Sequence, residues 1–181
     1  MSDSAVQVVV MGVAGCGKSA VGARLAARLA LPLIEGDDFH PAANVQKMQR
    51  GEPLLDADRS GWLATLGQKL KAARGGAVLT CSALKRAYRD QLRAASPSLC
   101  FVYLRIAPDE SLRRVAARSA HFYPPSLVAS QFEALQSPDG EPGVLTLDGT
   151  LAPDRLALQA AQWLQRGDHC REVPTAPAPG S

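Results

Sequence analysis

Residues 12–19 read Gly-Val-Ala-Gly-Cys-Gly-Lys-Ser and match the pattern G-x-x-x-x-G-K-[ST] of a phosphate-binding loop. The flanking residues have the composition that such a loop requires. The valine-rich residues 6–11 predict a buried strand, and the alanine-rich residues 18–30 predict a helix. A glycine-rich turn between a strand and a helix can point successive backbone N–H groups at phosphate oxygens. The positive end of the helix dipole adds to this attraction.

The loop therefore predicts a binding site for the phosphates of a nucleotide. We expect Lys18 to neutralise charge on the β- and γ-phosphates and the Ser19 hydroxyl to bind Mg²⁺. The alternative is a glycine-rich turn that binds nothing. The residues predicted to bind the nucleotide are Gly12, Val13, Ala14, Gly15, Cys16, Gly17, Lys18, Ser19 and Ala20.

The loop does not identify the reaction, because GTPases, ATP-driven motors and small kinases share it. The sequence contains no Asn-Lys-x-Asp segment of the kind that reads guanine. Its 181 residues are also few for a motor. These features favour a small-molecule kinase that uses ATP, with Lys18 as one of its catalytic residues.

Short apolar runs alternate with longer segments of helical period along the rest of the chain, which predicts βα repeats around a parallel sheet. A hydrophobic content of 46% and a charged content of 20% suit one globular domain. The further predicted strands are residues 32–35, 77–81, 99–106 and 144–148. The further predicted helices are residues 41–50, 58–74, 84–95, 108–118, 122–137 and 153–165.

We expect residues 1–167 to form one domain and the Pro- and Ala-rich residues 168–181 to be a flexible tail. The net charge of +3 is spread without a basic block, so no nucleic-acid partner is expected. The polar first residues do not resemble a signal peptide, and no apolar run is long enough to span a membrane. The four cysteines form no metal-binding pattern, which favours the reducing cytoplasm.

Two acidic residues, Glu35 and Asp37, come at the end of the second predicted strand. In open parallel sheets, ligands bind at this edge. Asp37 is the candidate for the catalytic base or for the group that orients the acceptor hydroxyl. Glu35 is the candidate for holding Mg²⁺ through water, beside Ser19. The alternative is that these are loop acids, with Asp37 or Asp38 capping the next helix.

Three further blocks of sequence closely resemble the gluconate kinase (gluconokinase) family. The first is Gly36-Asp37-Asp38-Phe39-His40-Pro41, followed by Asn44, Lys47-Met48 and residues 51–54 and 56–63. The second comprises residues 81–86, 88–90 and 92–93, and the third comprises His121-Phe122 and residues 131–136. Together with the phosphate loop, the resemblance spans roughly residues 6–165. Several blocks in the right order are far more specific than the loop alone.

The resemblance implies a three-layer α/β P-loop kinase fold like that of shikimate kinase. Such a fold has a five-stranded parallel sheet of order 2-3-1-4-5, with helices on both faces and a helical lid. The resemblance also implies that ATP and Mg²⁺ are used to phosphorylate the 6-hydroxyl of D-gluconate. A homodimer that takes part in D-gluconate degradation is expected on the same grounds.

The acceptor implied by the resemblance is a polyhydroxy carboxylate, whose acid group needs hydrogen-bond donors. The resemblance places Arg59 in the acceptor pocket. Lys85 and Arg89 are one helical turn apart after the third strand and could face one anion, with Ser82 beside them. The alternative for each cation is an ordinary solvated helix face. The predicted acceptor-binding residues are Asp37, His40, Arg59, Ser82, Lys85, Arg89, His121 and Gln131.

Three arginines, Arg113, Arg114 and Arg118, lie on one amphipathic segment before the third block. In related kinases a mobile lid follows, so the resemblance implies a lid at approximately residues 118–137. Arg118 is then the candidate catalytic residue that stabilises the transferring phosphate, and Arg114 is expected to contact the nucleotide. The alternative is an exposed basic face. The turn at residues 148–153 is expected to line the adenine pocket, although it also suits an ordinary turn before a helix.

Two other functions remain open at this point. One is a shikimate-kinase-like phosphotransferase that acts on another small hydroxy acid, which the second and third blocks disfavour. The other is an ATP-binding regulator without catalysis, which the intact residues Lys18, Ser19, Asp37 and Arg118 disfavour.

Overall fold

The computed structural model describes residues 5–118 and 123–167. Strands and helices alternate along them as the sequence predicts. The strands are β1 (Gln7–Met11), β2 (Leu33–Glu35), β3 (Ala77–Thr80), β4 (Cys100–Arg105) and β5 (Val144–Asp148). The helices are α1 (Lys18–Leu29), α2 (Ala42–Gln49), α3 (Asp56–Ala72), α4 (Arg86–Ala95), α5 (Pro108–Ala117), α6 (Val128–Ala134) and α7 (Pro153–Gln165). The predicted flexible tail at residues 168–181 lies outside the described residues.

The five strands form one parallel sheet in the order β2-β3-β1-β4-β5, which confirms the predicted topology. The first strand is central, with Val9 paired to Leu79 on one side and to Phe101 on the other. All carboxyl ends therefore meet at one edge, where the phosphate loop leaves β1.

Both faces of the sheet are buried, which is why β1 is a continuous valine run rather than an alternating one. Its side chains point alternately into two cores. Val8 and Val10 join the core on the side of α1 and α7, and Val9 and Met11 join the core on the side of α3 and α4. Among residues 5–118 and 123–167, no helix is both long and apolar enough to cross a membrane.

Two helices begin at positions other than the predicted ones, for local hydrogen-bonding reasons. Helix α3 begins at Asp56, two residues early, because the Leu55 N–H donates to the Asp58 carboxylate at 2.7 Å. Helix α4 begins at Arg86, two residues late. Ala83 before it has a left-handed backbone with φ of 46°, and the Leu84 carbonyl accepts a bond from the Gln136 N–H at 2.8 Å.

The predicted helix at residues 122–137 is shorter in the structure. Its described part is a 3-10 turn, Pro125–Leu127, followed by α6. Leu135 adopts an extended backbone that ends α6, and Gln136 is tied to the loop before α4. Tertiary hydrogen bonding therefore stops this helix before its apolar pattern ends.

Arg89, predicted to bind the acceptor, is a fully buried residue of the fold. Its guanidinium pairs with Glu141 at 2.6 Å and donates to the carbonyls of Ala83, at 2.8 Å, and Gln136, at 2.9 Å. Arg93 pairs with the other oxygen of Glu141 at 2.8 Å. This ion pair holds the loop before β5 against the loop after β3.

Removing Glu141 should therefore destabilise the protein strongly. We expect Glu141→Ala to lower the free energy of unfolding by about 3–5 kcal/mol, because the Arg89 charge stays buried without its counter-ion. Urea denaturation at neutral pH measures this loss. The matched control is Asp154→Ala, which breaks the exposed pair with Arg24 and should cost less than about 1 kcal/mol. Equal losses in the two variants would contradict a structural role for Glu141.

Candidate active site

A cavity of about 440 Å³ lies at the carboxyl edge of the sheet. Its walls come from the phosphate loop, the turn after β2, the first turn of α3, the end of α5 and helix α6. Many of the predicted site residues line it: Ala14, Gly15, Gly17, Lys18, Ser19, Glu35, Asp37, His40, Arg59, Ser82, Arg118 and Gln131. His121 lies outside the described residues.

The phosphate loop has a backbone that only glycine can follow at its first position. Gly12 has a φ of 146°, and a Cβ there would come within 2.7 Å of the Cys16 Sγ and 2.8 Å of the Leu104 carbonyl oxygen. The Gly12 N–H donates to the Ser82 carbonyl at 3.3 Å, which joins the ends of β1 and β3. The Lys18 ammonium lies across the loop, 3.0 Å from the Gly12 oxygen and 3.1 Å from the Val13 oxygen. The loop thus presents both of the charged features that bind phosphate, the ammonium and the start of α1.

Three oxygen-bearing side chains meet where β2 and β3 end beside α1. The Ser19 hydroxyl donates to Glu35 Oε2 at 3.1 Å, and the Thr80 hydroxyl donates to the same oxygen at 2.6 Å. Hydroxyl and carboxylate oxygens are ligands that suit Mg²⁺, which keeps several waters and substrate phosphates in its shell. Within the described residues no group of three or more His, Cys, Asp or Glu side chains could cage a metal ion. This donor set therefore fits a Mg²⁺ ion that arrives with a nucleotide.

Asp37 is held in place by its neighbour Gly36 in the 3-10 turn Gly36–Phe39. The Gly36 N–H donates to Thr80 Oγ1 at 3.3 Å, and its carbonyl accepts from Trp62 Nε1 at 2.8 Å. A Cβ on Gly36 would lie 2.1 Å from the Thr80 carbonyl oxygen, so this approach requires glycine. Asp37 caps no helix, since α2 follows Pro41 without a side-chain cap. The Asp37 side chain remains 73% exposed and faces the cavity from a rigid backbone.

His40 is oriented by contacts on three sides. Its ring stacks on Trp62 with a centroid separation of 4.0 Å, and its side chain is only 5% exposed. The Asn44 amide nitrogen lies 3.3 Å from His40 Nδ1 and also donates to the Asp58 carbonyl at 2.9 Å, which fixes the direction of the amide. Nδ1 is then an acceptor, and the neutral ring carries its proton on Nε2, which lies 3.7 Å from Asp37 Oδ1.

Burial lowers the pKa of His40 below its usual 6.5, and this effect outweighs the opposing influence of the Asp37 charge. The ring is consequently neutral at pH 7 and presents an N–H toward the Asp37 carboxylate.

Of the three cations predicted to bind the acceptor, Arg59 lines the cavity, whereas Lys85 and Arg89 pair with carboxylates away from it. Arg59 lines the cavity from the first turn of α3, where it is 9% exposed. Its Nη1 donates to the Tyr88 hydroxyl at 3.1 Å. Lys85 does not line the cavity but donates to Asp56 at 2.9 Å. Arg89 belongs to the buried ion pair with Glu141. The structure thus brings only one of these three predicted cations to the cavity wall.

Arg114 ties the phosphate loop to the turn after β5. Its guanidinium donates to the carbonyls of Gly15, at 3.2 Å, and Gly149, at 3.1 Å. Its Nε donates to Glu110 at 2.7 Å. Hydrogen bonds from Arg113 and Arg114 lower the pKa of Glu110 to about 2, so its charge persists at neutral pH. Arg114 therefore lies between the loop and the turn that was predicted to line the adenine pocket.

Two further predicted residues approach the phosphate loop from α5 and α6. Arg118 directly follows the last residue of α5, is exposed and lines the cavity. Gln131 on α6 accepts a hydrogen bond from the Ala14 N–H at 2.7 Å through its side-chain oxygen. This bond couples α6 directly to the phosphate loop.

Proteins that are similar to this chain in sequence include gluconokinases. Residues 8–138 match a family model described as an AAA domain, which the chain therefore contains. A gluconokinase of Gluconobacter oxydans is 44% identical over 165 residues, which cover 89% of this chain and 92% of that relative. The thermoresistant gluconokinase of Escherichia coli is 42% identical over 144 residues, covering 77% of this chain and 82% of that relative.

The chain belongs to the gluconokinase family. The crystal structure of a gluconokinase from Sinorhizobium meliloti agrees, with a TM-score of 0.80 and 40% identity over 92% of this chain and 99% of that one. A shikimate kinase from Acinetobacter baumannii has a TM-score of 0.58 at 14% identity, which indicates a shared fold alone. Gluconokinases are therefore the relevant comparison for the site.

Several residues in and around this gluconokinase-family site carry no role that their sequence pattern predicts. Thr80 could have been found, because it ends the third strand at the ligand-binding edge. Trp62 and Tyr88 look like ordinary core aromatics in the sequence, and only their partners reveal their roles. The apolar lining residues Met48, Leu54 and Leu127 come from distant segments and carry no chemical signal of their own.

The lowered pKa of His40 predicts a pH dependence of stability in this gluconokinase-family chain. As pH falls below 6.5, the unfolded chain takes up a proton at His40 that the folded protein resists, so the free energy of unfolding decreases. We expect this decrease between about pH 7.5 and pH 5.5, above the range in which the unfolded carboxylates titrate. His40→Gln should show a shallower slope in urea denaturation over that interval. Equal slopes for the wild type and the variant would refute the assignment.

Proposed function

We propose that this chain transfers the γ-phosphate of ATP to the 6-hydroxyl of D-gluconate, which gives ADP and 6-phospho-D-gluconate. One observation supports this most directly: a single cavity contains the phosphate loop, the accessible Asp37 carboxylate and the Arg59 guanidinium. A phosphate donor site, a group that takes a proton and an anion-binding cation are the three parts that such a reaction needs. The reaction belongs in the cytoplasm, where ATP is available.

In this mechanism the 6-hydroxyl oxygen attacks the γ-phosphorus as the bond from that phosphorus to the leaving ADP oxygen breaks. Asp37 orients the hydroxyl and accepts its proton. The His40 Nε2–H lies 3.7 Å from Asp37 Oδ1, too far for a hydrogen bond, and attracts the carboxylate electrostatically. Lys18 and the loop N–H groups hold the triphosphate, and Arg118 offsets the charge that develops on the transferring group.

The Ser19 hydroxyl would bind a Mg²⁺ ion that accompanies ATP, and Glu35, oriented by Thr80, would hold that ion through water. The ion would neutralise charge on the phosphates. The gluconate carboxylate pairs with Arg59, and Ser82 offers a hydroxyl nearby. His121 remains a proposed acceptor ligand outside the described residues.

We also propose that residues 118–137 act as a lid. Their described part contributes Tyr123, Leu127, Ser130 and Gln131 to the cavity wall. Leu127 and Tyr123 pack against Met48 and Leu54 in a small apolar cluster separate from the two main cores. Such a cluster can open without disturbing the rest of the fold. A homodimer that acts in D-gluconate degradation is proposed on the family resemblance.

A coupled assay of ADP release over a panel of acids tests the function. We expect turnover with D-gluconate and Mg²⁺-ATP and none with shikimate. A preference for shikimate would favour the phosphotransferase of another hydroxy acid. Binding of ATP without turnover of any acid would instead favour a non-catalytic regulator.

Asp37→Asn should lower kcat by about 100-fold or more with little change in KM for ATP, because the amide cannot accept the proton. Steady-state kinetics measures both constants. Asp38→Asn is the matched comparison, since Asp38 is the adjacent acid of the same turn and also lines the cavity. Its effect on kcat should be much smaller. A near-normal kcat in Asp37→Asn would rule out the proton-accepting role.

A further inference from the structure

Arg59 reaches the cavity with most of its hydrogen-bonding capacity unused by the described protein atoms. The guanidinium has five N–H donors. In residues 5–118 and 123–167, one side-chain hydrogen bond of Arg59 is present, from Nη1 to the Tyr88 hydroxyl at 3.1 Å. The guanidinium carbon also lies 5.4 Å from the centre of the Tyr88 ring. Tyr88 therefore holds Arg59 through one hydrogen bond and one ring contact. The other N–H donors of the planar guanidinium remain available to an anion.

The hydrogen bonds beyond Tyr88 have one possible direction. Arg59 can only donate, so the Tyr88 oxygen accepts from it and the Tyr88 proton must go elsewhere. That proton is donated to Asp56 Oδ1, with which the hydroxyl forms a short hydrogen bond. Lys85 Nζ donates to the same Asp56 oxygen at 2.9 Å. The order Arg59 to Tyr88 to Asp56, with Lys85 as the counter-ion, is thus determined by the chemistry of the groups.

The protonation states that this order needs are stable at neutral pH. Hydrogen bonds from Tyr88 and Lys85 lower the pKa of Asp56, so it stays charged and accepts. Burial, with the Asp56 hydrogen bond, raises the pKa of Tyr88, so it keeps its proton. Charge on Asp56 polarises the Tyr88 hydroxyl and strengthens its oxygen as an acceptor for the Arg59 cation.

The supporting residues themselves stay away from the reaction. Tyr88, Asp56 and Lys85 are not among the residues that line the cavity, whereas Arg59 is. Tyr88 is 6% exposed and packs in the core formed with α3 and α4. Arg59 is therefore the residue through which these three side chains contact the acceptor cavity. Lys85, which the sequence predicts as a direct acceptor ligand, is instead the counter-ion of Asp56 in this network.

We propose that Tyr88 is a positioning residue that, with Asp56 and Lys85, aims the Arg59 guanidinium at the carboxylate of the acceptor. The inference rests on the proposed function, because it takes a hydroxy acid as the substrate. Its consequence is specificity: the network determines how strongly the enzyme prefers a carboxylate over an uncharged group at that end of the acceptor.

The test compares D-gluconate with D-gluconamide, which keeps the hydroxyl groups and lacks the charge. In Tyr88→Phe the ring remains and only the hydroxyl is lost. We expect KM for D-gluconate to rise about tenfold, the effect of losing one hydrogen bond to a charged group, while kcat and KM for ATP stay within about twofold. The preference for gluconate over gluconamide in kcat/KM should narrow by a similar factor. A merely structural role would not alter that ratio.

Two further variants complete the test. Asp56→Asn, at an exposed site, should shift KM for gluconate in the same direction by a smaller factor, since the amide oxygen still accepts from Tyr88 but carries no charge. Tyr103→Phe is the matched control: it removes a buried tyrosine hydroxyl from β4, outside the cavity lining, and should change neither KM nor the preference.

The inference would be overturned if the wild type phosphorylates gluconate and Tyr88→Phe has the same KM for gluconate. The gluconate-to-gluconamide ratio of kcat/KM would then also be unchanged in Tyr88→Phe. Failure of the wild type on gluconate would count against the proposed function instead. The same comparison would then be made with the acid that the panel identifies and with its amide, and the same two results would decide the role of Tyr88.

Discussion

The close approach of Gly36 to Thr80 is the contact on which the site depends. It joins the ends of β2 and β3 through the Gly36 N–H and the Thr80 hydroxyl, and it leaves no room for a Cβ on Gly36. From this point the Thr80 hydroxyl reaches Glu35, which meets Ser19 of the phosphate loop. The Gly36 carbonyl accepts from Trp62, on which His40 stacks. Glu35, the proposed base Asp37 and the neighbouring His40 therefore share one rigid backbone segment, which a hydrogen bond joins to Ser19 of the phosphate loop.

Burial and hydrogen-bond partners distinguish the arginines that stabilise the fold from the arginine that is proposed to bind the acceptor. Arg89 is fully buried with its donors used by Glu141 and by main-chain carbonyls, so it stabilises the fold. Arg114 connects the phosphate loop to the turn after β5 through hydrogen bonds to the carbonyl oxygens of Gly15 and Gly149. Arg59 is nearly as buried, yet one described side-chain hydrogen bond holds it and the residue lines the cavity. A cation at a cavity wall whose donors are mostly unused by the described protein atoms suits an anionic ligand.

Much of the fold was predictable because it follows from local pattern. The valine run of β1 predicted a strand buried on both faces, and the G-x-x-x-x-G-K-[ST] motif predicted the turn to α1. The first and last residues of a helix were less predictable where residues far along the chain form hydrogen bonds with its terminal backbone groups. The Leu84 carbonyl is taken by Gln136, far along the chain, and helix α4 therefore starts later than its apolar pattern.

The sequence by itself determined the phosphate loop and the acidic turn after β2, because each is a contiguous segment whose chemistry has few alternatives. It also determined the parallel sheet, because each strand is a short apolar run and helical segments lie between the runs. It also determined the family, through blocks that occur in the right order. Only the tertiary structure decided which cations serve the cavity. Lys85 and Arg89 are one helical turn apart, but Lys85 turns to Asp56 and Arg89 to Glu141. Spacing along a helix specifies a face, whereas the partner that a side chain meets depends on segments folded against that face, and these come from elsewhere in the chain.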